Sequence, residues 1–333
     1  MTKERFKTFW DKFGTLCILI ILFLGFSMGA PKFFPKPSNL MQVFLQSTIY
    51  ILLAFGEFFA ILLAGIDLSV GSVACLSGIV VAELSLKNIP APFCIIIGLA
   101  VACILGLING LLINALDLHP FIVTLGTNTI FRGVCLVMTD GNPVFNLPQW
   151  VKGMADNANV IPKPVIYAAV IALILYFLTT QTVAGRNLYA LGGNKQAAWY
   201  SGINTKSYTL FAHILASLLA GFGGIVMLAR IGAAEPSAGD GYETFAIAAC
   251  IIGGASLFGG KGRIVGVILG GITIGTINNG LTIMKVSSFW QKIVMGVLII
   301  ASVALDRLIS NQAKKQPKNR IKMKKHESQK EST

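Results

Sequence analysis

The chain of 333 residues is 54% apolar and 12% charged, with a formal net charge of +13. An average soluble domain carries about 25% charged residues, so this composition excludes an ordinary water-soluble globular protein. Nor does the positive charge point to nucleic acid. Much of it sits in one stretch from Lys314 to Lys325, whereas Val43 to Leu116 holds only Glu57, Asp67, Glu83 and Lys87.

Apolar runs of bilayer length, about 20 residues, recur along the chain, and the fold class expected is an all-α polytopic membrane protein. Ten helices are expected, near residues 14–30, 43–65, 68–85, 92–115, 120–138, 163–181, 208–229, 243–257, 264–282 and 289–309. The first follows Lys3, Arg5, Lys7 and Lys12 and could be a cleaved leader. Met28 occupies the small-residue position of the only candidate cleavage site, Ser27-Met-Gly-Ala30, which favours an uncleaved helix.

The second and third helices form a hairpin, Ala54 to Gly71, whose turn carries one acid, Asp67, and one hydroxyl, Ser69. Acids inside a membrane are costly and usually face a cavity or a partner. Glu57, Asp67 and Ser69 are therefore candidate pathway groups, together with the intrahelical Asn109, Asn128, Asn278 and Asn279. Asn114, Thr124 and Thr127 are weaker candidates, because such residues more often join helices by hydrogen bonds.

The segment after the fifth helix, 139–162, holds Pro143, Pro148, Pro162 and Pro164 at or just beyond it and only Lys152 as a base. The segments 182–207, with Arg186, Lys195 and Lys206, and 258–263, with Lys261 and Arg263, carry bases. Positive loops stay cytoplasmic, so both termini are expected in the cytoplasm and 139–162 outside. The loop 185–206 combines a Gly192-Gly193 turn, a helix-compatible stretch from Lys195 to Ser201 and a second turn at Gly202. A short surface helix of this kind suits the groove of a partner, with membrane anchoring through Trp199 and Tyr200 as the alternative.

An offset of about 170 aligns Asn109-Gly-Leu-Leu-Ile113 with Asn279-Gly-Leu-Thr-Ile283, and the turn Asp67 to Gly71 with Glu235 to Gly239. Five helices separate equivalent positions, so the halves are expected to be inverted, a recurring construction of transporters. Glycines at 262, 266, 270, 271 and 275, and at 106 and 110, make smooth strips for close helix packing.

Catalytic constellations are missing. Gly253 to Arg263 fails as a phosphate loop, because Ala255 stands where the first glycine belongs and Gly262 replaces the hydroxyl residue. His119, His213 and His326 are far apart, and the six cysteines, Cys17, Cys75, Cys94, Cys103, Cys135 and Cys250, lie in apolar stretches without a Cys-x-x-Cys pair. They read as small buried residues rather than ligands or disulfides. No enzyme activity, cofactor or metal is expected. The domain division expected is one transmembrane unit, 1–309, followed by a basic tail, 310–333, with too little apolar surface to fold and suited to anionic lipid.

Taken together, several of these segments resemble one family, the permease subunit of bacterial ATP-binding-cassette importers for monosaccharides of the ribose, galactose and xylose type. The resemblance rests on Ala64-Gly-Ile-Asp-Leu-Ser-Val-Gly71, His119-Pro-Phe-Ile-Val-Thr-Leu-Gly126 with Phe131-Arg-Gly133, Tyr189 to Asn194 through Ser201-Gly-Ile203, Gly253 to Gly262, and Asn278-Asn-Gly-Leu281. Gly56-Glu-Phe-Phe-Ala60 and Val303-Ala-Leu-Asp-Arg307 look most like allose-type members. The resemblance implies a permease homodimer in the cytoplasmic membrane, a separate cytoplasmic ATPase and an external sugar-binding protein. It also implies that Gly193, Asn194, Lys195, Ala197, Ala198, Ser201, Gly202 and Ile203 form the element that rides in the ATPase groove. Glu57 departs from the family, where an uncharged residue is common. The rival readings are an ion- or proton-coupled secondary transporter, with Glu57, Asp67 or Glu83 as its acids, and a membrane-embedded enzyme.

Overall fold

A computed structural model describes residues 3–158, 161–287, 289–298, 300–301 and 303–304. The basic tail 310–333 lies outside the described residues. All ten expected helices are present. They are α1 (Lys3–Gly29), α2 (Pro37–Leu62), α3 (Val70–Leu86), α4 (Ala91–Leu116), α5 (Pro120–Met138), α7 (Lys163–Gln181), α10 (Thr205–Ile231), α11 (Tyr242–Ile252), α12 (Ile264–Ile283) and α13, described over Phe289–Leu298. Three short helices join them, α6 (Gln149–Gly153), α8 (Val183–Gly193) and α9 (Lys195–Tyr200). A two-stranded pairing, Asn157–Ala158 with Ile161–Pro162, sits before α7.

Six helices, α2, α4, α5, α7, α10 and α12, are long and apolar enough to cross a membrane. At 1.5 Å per residue, the 26 residues of α2 and of α4 each extend about 39 Å. Proline opens α2, α4, α5 and α7, where its missing N–H costs nothing. Left-handed residues stop helices at Asp117 after α4 and at Gly232 after α10.

Several boundaries differ from expectation: α1 begins at Lys3 rather than 14, α2 at Pro37 rather than 43 and α10 at Thr205 rather than 208. Helix α2 stops at Leu62, three residues early, because the chain turns at Ala64 with φ +59°. Helix α11 ends at Ile252 rather than 257, where Gly253 and a left-handed Gly254 break it. The Gly192-Gly193 turn is not a turn: both glycines complete α8, and the break falls on Asn194. The reason is tertiary, since Gly192 is held against another helix end.

Helix α2 forms the centre of the bundle and is buried along nearly its whole apolar span, whereas α4, α5 and α7 keep broad apolar faces outward. The pairing pattern is two-fold. Helix α10 packs on α4 and α3 as α2 packs on α12 and α11, and α3 lies on α4 as α11 lies on α12. Exchanging α2–α3–α4 with α10–α11–α12 leaves this map unchanged, as an inverted repeat requires. The glycine strips serve these contacts. Gly106 and Gly110 of α4 meet His213 and Leu210 of α10, and Gly271 and Gly275 of α12 meet Ile51 and Ser47 of α2. The two repeat-related turns touch at the centre. A Cβ on Gly71 would stand 2.5 Å from Gly239 O, and one on Gly239 would stand 3.0 Å from Gly71 O.

Candidate functional site

The segment joining α2 to α3, residues 63–69, does not end in solvent. Its polar groups turn inward, where four helices converge on them. Asp67 is fully buried. Its Oδ1 accepts the backbone N–H of Ser69 at 2.9 Å and the Ser69 hydroxyl at 2.6 Å. Its Oδ2 lies 3.2 Å from Nδ1 of His213, which α10 supplies. Asn109 of α4 donates through Nδ2 to Ser69 Oγ at 2.8 Å. Glu57 of α2, also fully buried, accepts the Asp67 N–H on Oε1 at 3.2 Å. Thr124 of α5 accepts the Leu68 N–H at 3.1 Å, and its hydroxyl stands 3.1 Å from Ile66 O and 2.9 Å from Pro120 O.

Five elements therefore share one buried polar joint. An unpaired charge in an apolar interior is strongly disfavoured, and His213 is the basic group that meets Asp67. Glu57 Oε2 and Asn109 Oδ1 have no hydrogen-bond partner. The joint holds no exposed nucleophile, and among the described residues no group of three His, Cys, Asp or Glu side chains could hold a metal ion. Its chemistry is that of a positioned carboxylate–imidazole contact, suited to fixing a loop.

The structure thus brings Glu57, Asp67, Ser69 and Asn109 together. Thr124, a weaker candidate, joins them, while Asn278, Asn279, Asn128 and Asn114 stay outside. Asn278 and Asn279 lie on α12 beside Gly275, which packs on Ser47. Ser47 and Glu57 are ten residues apart on α2, or about 15 Å. Asn278 bonds Ile274 O at 3.2 Å within its own helix. Asn128 is half-buried one turn beyond Thr124, with Oδ1 unpartnered. Asn114 bonds Lys206 O at 2.8 Å at the base of α10. His213 is the member that sequence reasoning missed. Its signal was a lone basic ring inside an apolar helix, which gains meaning only once Asp67 is seen to face it.

The second cluster is the expected partner-binding loop. Asn194 caps α9 by accepting the Ala197 N–H at 2.9 Å, and Asn204 caps α10 by accepting the Ser207 N–H at 3.1 Å. The Gly202 N–H donates to Trp199 O at 3.0 Å and the Ile203 N–H to Ala198 O at 3.1 Å, closing a left-handed turn with Gly202 at φ +83°. Ala198 is buried beneath α9. Gly193, Asn194, Lys195, Ala197, Ser201 and Gly202 are exposed, as are Trp199 and Tyr200, the latter at 80%. Large exposed aromatics beyond the helical bundle form a ready contact surface.

Helix α8 connects this surface to the joint. Its last turn is seated on the end of α2: a Cβ on Gly192 would overlap Leu62 O and stand 2.7 Å from Gly260 N. Gly260, left-handed at φ +67°, donates its N–H to the same Leu62 carbonyl at 2.9 Å. The Tyr189 hydroxyl donates to Gly262 O at 2.9 Å, and Asn187 donates to the Tyr208 hydroxyl at 2.7 Å. Burial pushes the Tyr189 hydroxyl above its usual range, which keeps it a donor. Four residues separate Leu62 from Asp67, so α9, α8, the α2 end and the buried Asp67–His213 contact form one continuous line of contacts.

Comparison with known proteins gives this arrangement a setting. The family model described as branched-chain amino acid transport system / permease component matches residues 39–303. The D-allose transport system permease protein AlsC of Escherichia coli (strain K12) is 53% identical over 308 residues, covering 92% of this chain and 94% of its own. The ribose import permease protein RbsC of Bacillus subtilis (strain 168) is 41% identical over 309 residues, covering 91% and 95%. The galactose/methyl galactoside import permease protein MglC of Escherichia coli (strain K12) is 33% identical over 328 residues, covering 92% and 97%. No solved structure matches.

Proposed function

The chain belongs to the branched-chain amino acid transport system / permease component family, and from that premise we propose that it is the membrane-spanning subunit of an ATP-driven importer of a monosaccharide. The observation that carries this reading is likeness over nine-tenths of the chain to permeases named for allose, ribose and galactose. In this reading a separate cytoplasmic ATPase hydrolyses the nucleotide and an external sugar-binding protein delivers the substrate. The basic segments 182–207 and 258–263 support a cytoplasmic position for α8, α9 and both termini.

Coupling follows from that line of contacts. The ATPase grips α9 through Trp199, Tyr200 and the turn at Gly202. Its closure on ATP moves α8, and Gly192 carries the push to Leu62 and the 63–69 segment. There the Asp67–His213 pair makes α10 move with the segment, and Asn109 and Thr124 engage α4 and α5. Alternating access is the resulting reorientation of these helices. Helix α5 also supports a homodimer. Gly126 and Gly133 have nothing within 4 Å of a Cβ position, and the exposed Thr129 lies between them. Such a smooth strip permits close approach of a second helix.

The deciding experiment is radiolabelled monosaccharide uptake by cells carrying wild type or Gly202→Arg, with a pull-down of a cytoplasmic ATPase. Uptake and ATPase association fall together in the variant, at unchanged membrane level. Unchanged uptake with no associated ATPase overturns the reading.

A further inference from the structure

The turn that aligns with Asp67 to Gly71, Glu235 to Gly239, belongs to a segment, 232–241, that starts at the end of α10 opposite α9 and returns to meet Gly71. The 27 residues of α10 put about 40 Å between its two ends. Left-handed glycines at 232, 239 and 241 flank the turn, a conformation glycine adopts without strain. Three neighbours hold it. Arg132 of α5, half-buried, donates through Nη1 to Pro236 O at 3.0 Å and to Ala238 O at 2.8 Å. Cys75 of α3 is buried beneath the turn, with Sγ 3.3 Å from Pro236 O and 3.5 Å from Glu235 O. Ala234 exchanges both backbone hydrogen bonds with Val144, at 2.9 and 3.0 Å, in the stretch that follows α5.

Helix α5 therefore touches both repeat-related segments. Thr124 meets the 63–69 segment at Leu68 and Ile66. Arg132 meets the 232–241 segment eight residues later, about 12 Å along the same helix. Hydrogen bonds from a guanidinium are charge-assisted and stronger than those of a hydroxyl. Two of them, to carbonyls two residues apart, fix the shape of the turn as well as its place. Ala233, Ala234, Pro236 and Gly239 are buried, while Glu235, Ser237 and Asp240 face outward. A short segment with glycine at both ends, held at its seat by such bonds, is suited to swing as a unit.

We propose that the 232–241 turn is the outer gate of the pathway, that Arg132 is its latch, and that α5 is the strut linking it to the inner 63–69 segment. Movement of the 63–69 segment shifts α5, draws the guanidinium off Pro236 and Ala238, and frees the turn. Reseating restores both bonds and covers Cys75. The inverted repeat gives each side of the bundle one such turn, as alternating access requires. Arg132 is a positioning residue, acting on the pathway through the turn. The gating role rests on the proposed transport function, whereas release of the turn on loss of Arg132 does not.

Cys75 is the reporter. The purified full-length chain is treated with a bulky water-soluble maleimide, and the adducts are located by peptide mass. In Arg132→Gln, Cys75 is expected to label about tenfold faster than in wild type, equivalent to about 1.4 kcal/mol in the opening of the turn. Cys250, buried with its thiol 3.2 Å from Ala54 O, labels at the wild-type rate, which separates local opening from general loosening. Equal Cys75 labelling in the two proteins, or Cys250 rising with it, overturns the latch. A second variant locks the turn instead. The bridge places the Cα atoms of Val144 and Ala234 about 5.5 Å apart, within disulfide reach, so Val144→Cys is combined with Ala234→Cys and oxidised in cells. Uptake of radiolabelled monosaccharide is expected to fall to background and to return on reduction, while the single variants do not respond to the oxidant. Failure of the disulfide to form, or unchanged uptake once it has formed, overturns the gate. Untreated wild-type uptake reports separately on the transport reading. The lock decides alone if Arg132→Gln fails to reach the membrane.

Discussion

At the scale of single residues, the Asp67–His213 pair is the most consequential contact. Both side chains are almost fully removed from solvent, and removing one partner leaves the other's buried polar atom unsatisfied, at a cost of about 3 kcal/mol. His213→Ala is therefore expected to lower the unfolding midpoint of the detergent-solubilised chain by that scale. Asp67→Asn with His213→Ala loses less than the sum of the two single changes, since their shared contact is lost only once. Strict additivity of the two would show that the pair does not interact. Glu57 differs in kind. Only its Oε1 has a partner, and a Gln side chain keeps that acceptor. Glu57→Gln is expected to retain uptake and stability in the same assays, and a collapse of either would assign the carboxylate a role beyond holding the Asp67 N–H. Glu57 and Asp67 stood out in the sequence because acids are rare in its apolar runs. His213 did not, because its partner lies 146 residues away.

At the scale of elements, α8 decides how a push on α9 is transmitted. Gly192 has no room for a Cβ against Leu62 O and Gly260 N, and overpacking of this kind costs about 1–3 kcal/mol. Gly192→Ala is expected to depress uptake by shifting α8 off α2, while the exposed Lys195→Ala leaves protein level unchanged. Limited proteolysis within 185–206 supplies the check: faster cleavage in Gly192→Ala alone supports the seat, and equal rates in all three proteins remove it. The stretch from Lys195 to Ser201 was legible as a helix. The helix before it was not, because a Gly-Gly pair ordinarily marks a turn. Here Gly192 stays helical because only glycine permits its close approach to Leu62.

At the scale of the whole molecule, the two-fold pairing of α2–α3–α4 with α10–α11–α12 gives a symmetric frame with an asymmetric filling. The Asn109–Ser69 bond lies in one half and the Asp67–His213 contact bridges the two, whereas the matching Asn279 keeps an unpartnered Oδ1. The frame leaves the α5 strip at Gly126 and Gly133 open outward. Gly126→Cys in membranes is expected to form a disulfide-linked dimer on oxidation, while Ile174→Cys on the lipid-exposed face of α7 does not. Monomer at both positions would place the partner contact elsewhere.

The sequence by itself determined the class, the number of principal helices and the weak inverted repeat, because bilayer thickness sets the length of each apolar run and the glycine strips mark where helices close. It also marked Glu57, Asp67, Ser69 and Asn109 individually. Tertiary structure alone decided that these four share one joint with His213 while Asn278 and Asn279 sit about 15 Å away. It alone placed Gly192 on Leu62. The reason is physical: periodicity reports which face of a helix is apolar, but a contact between residues far apart in the chain exists only after the helices choose their neighbours.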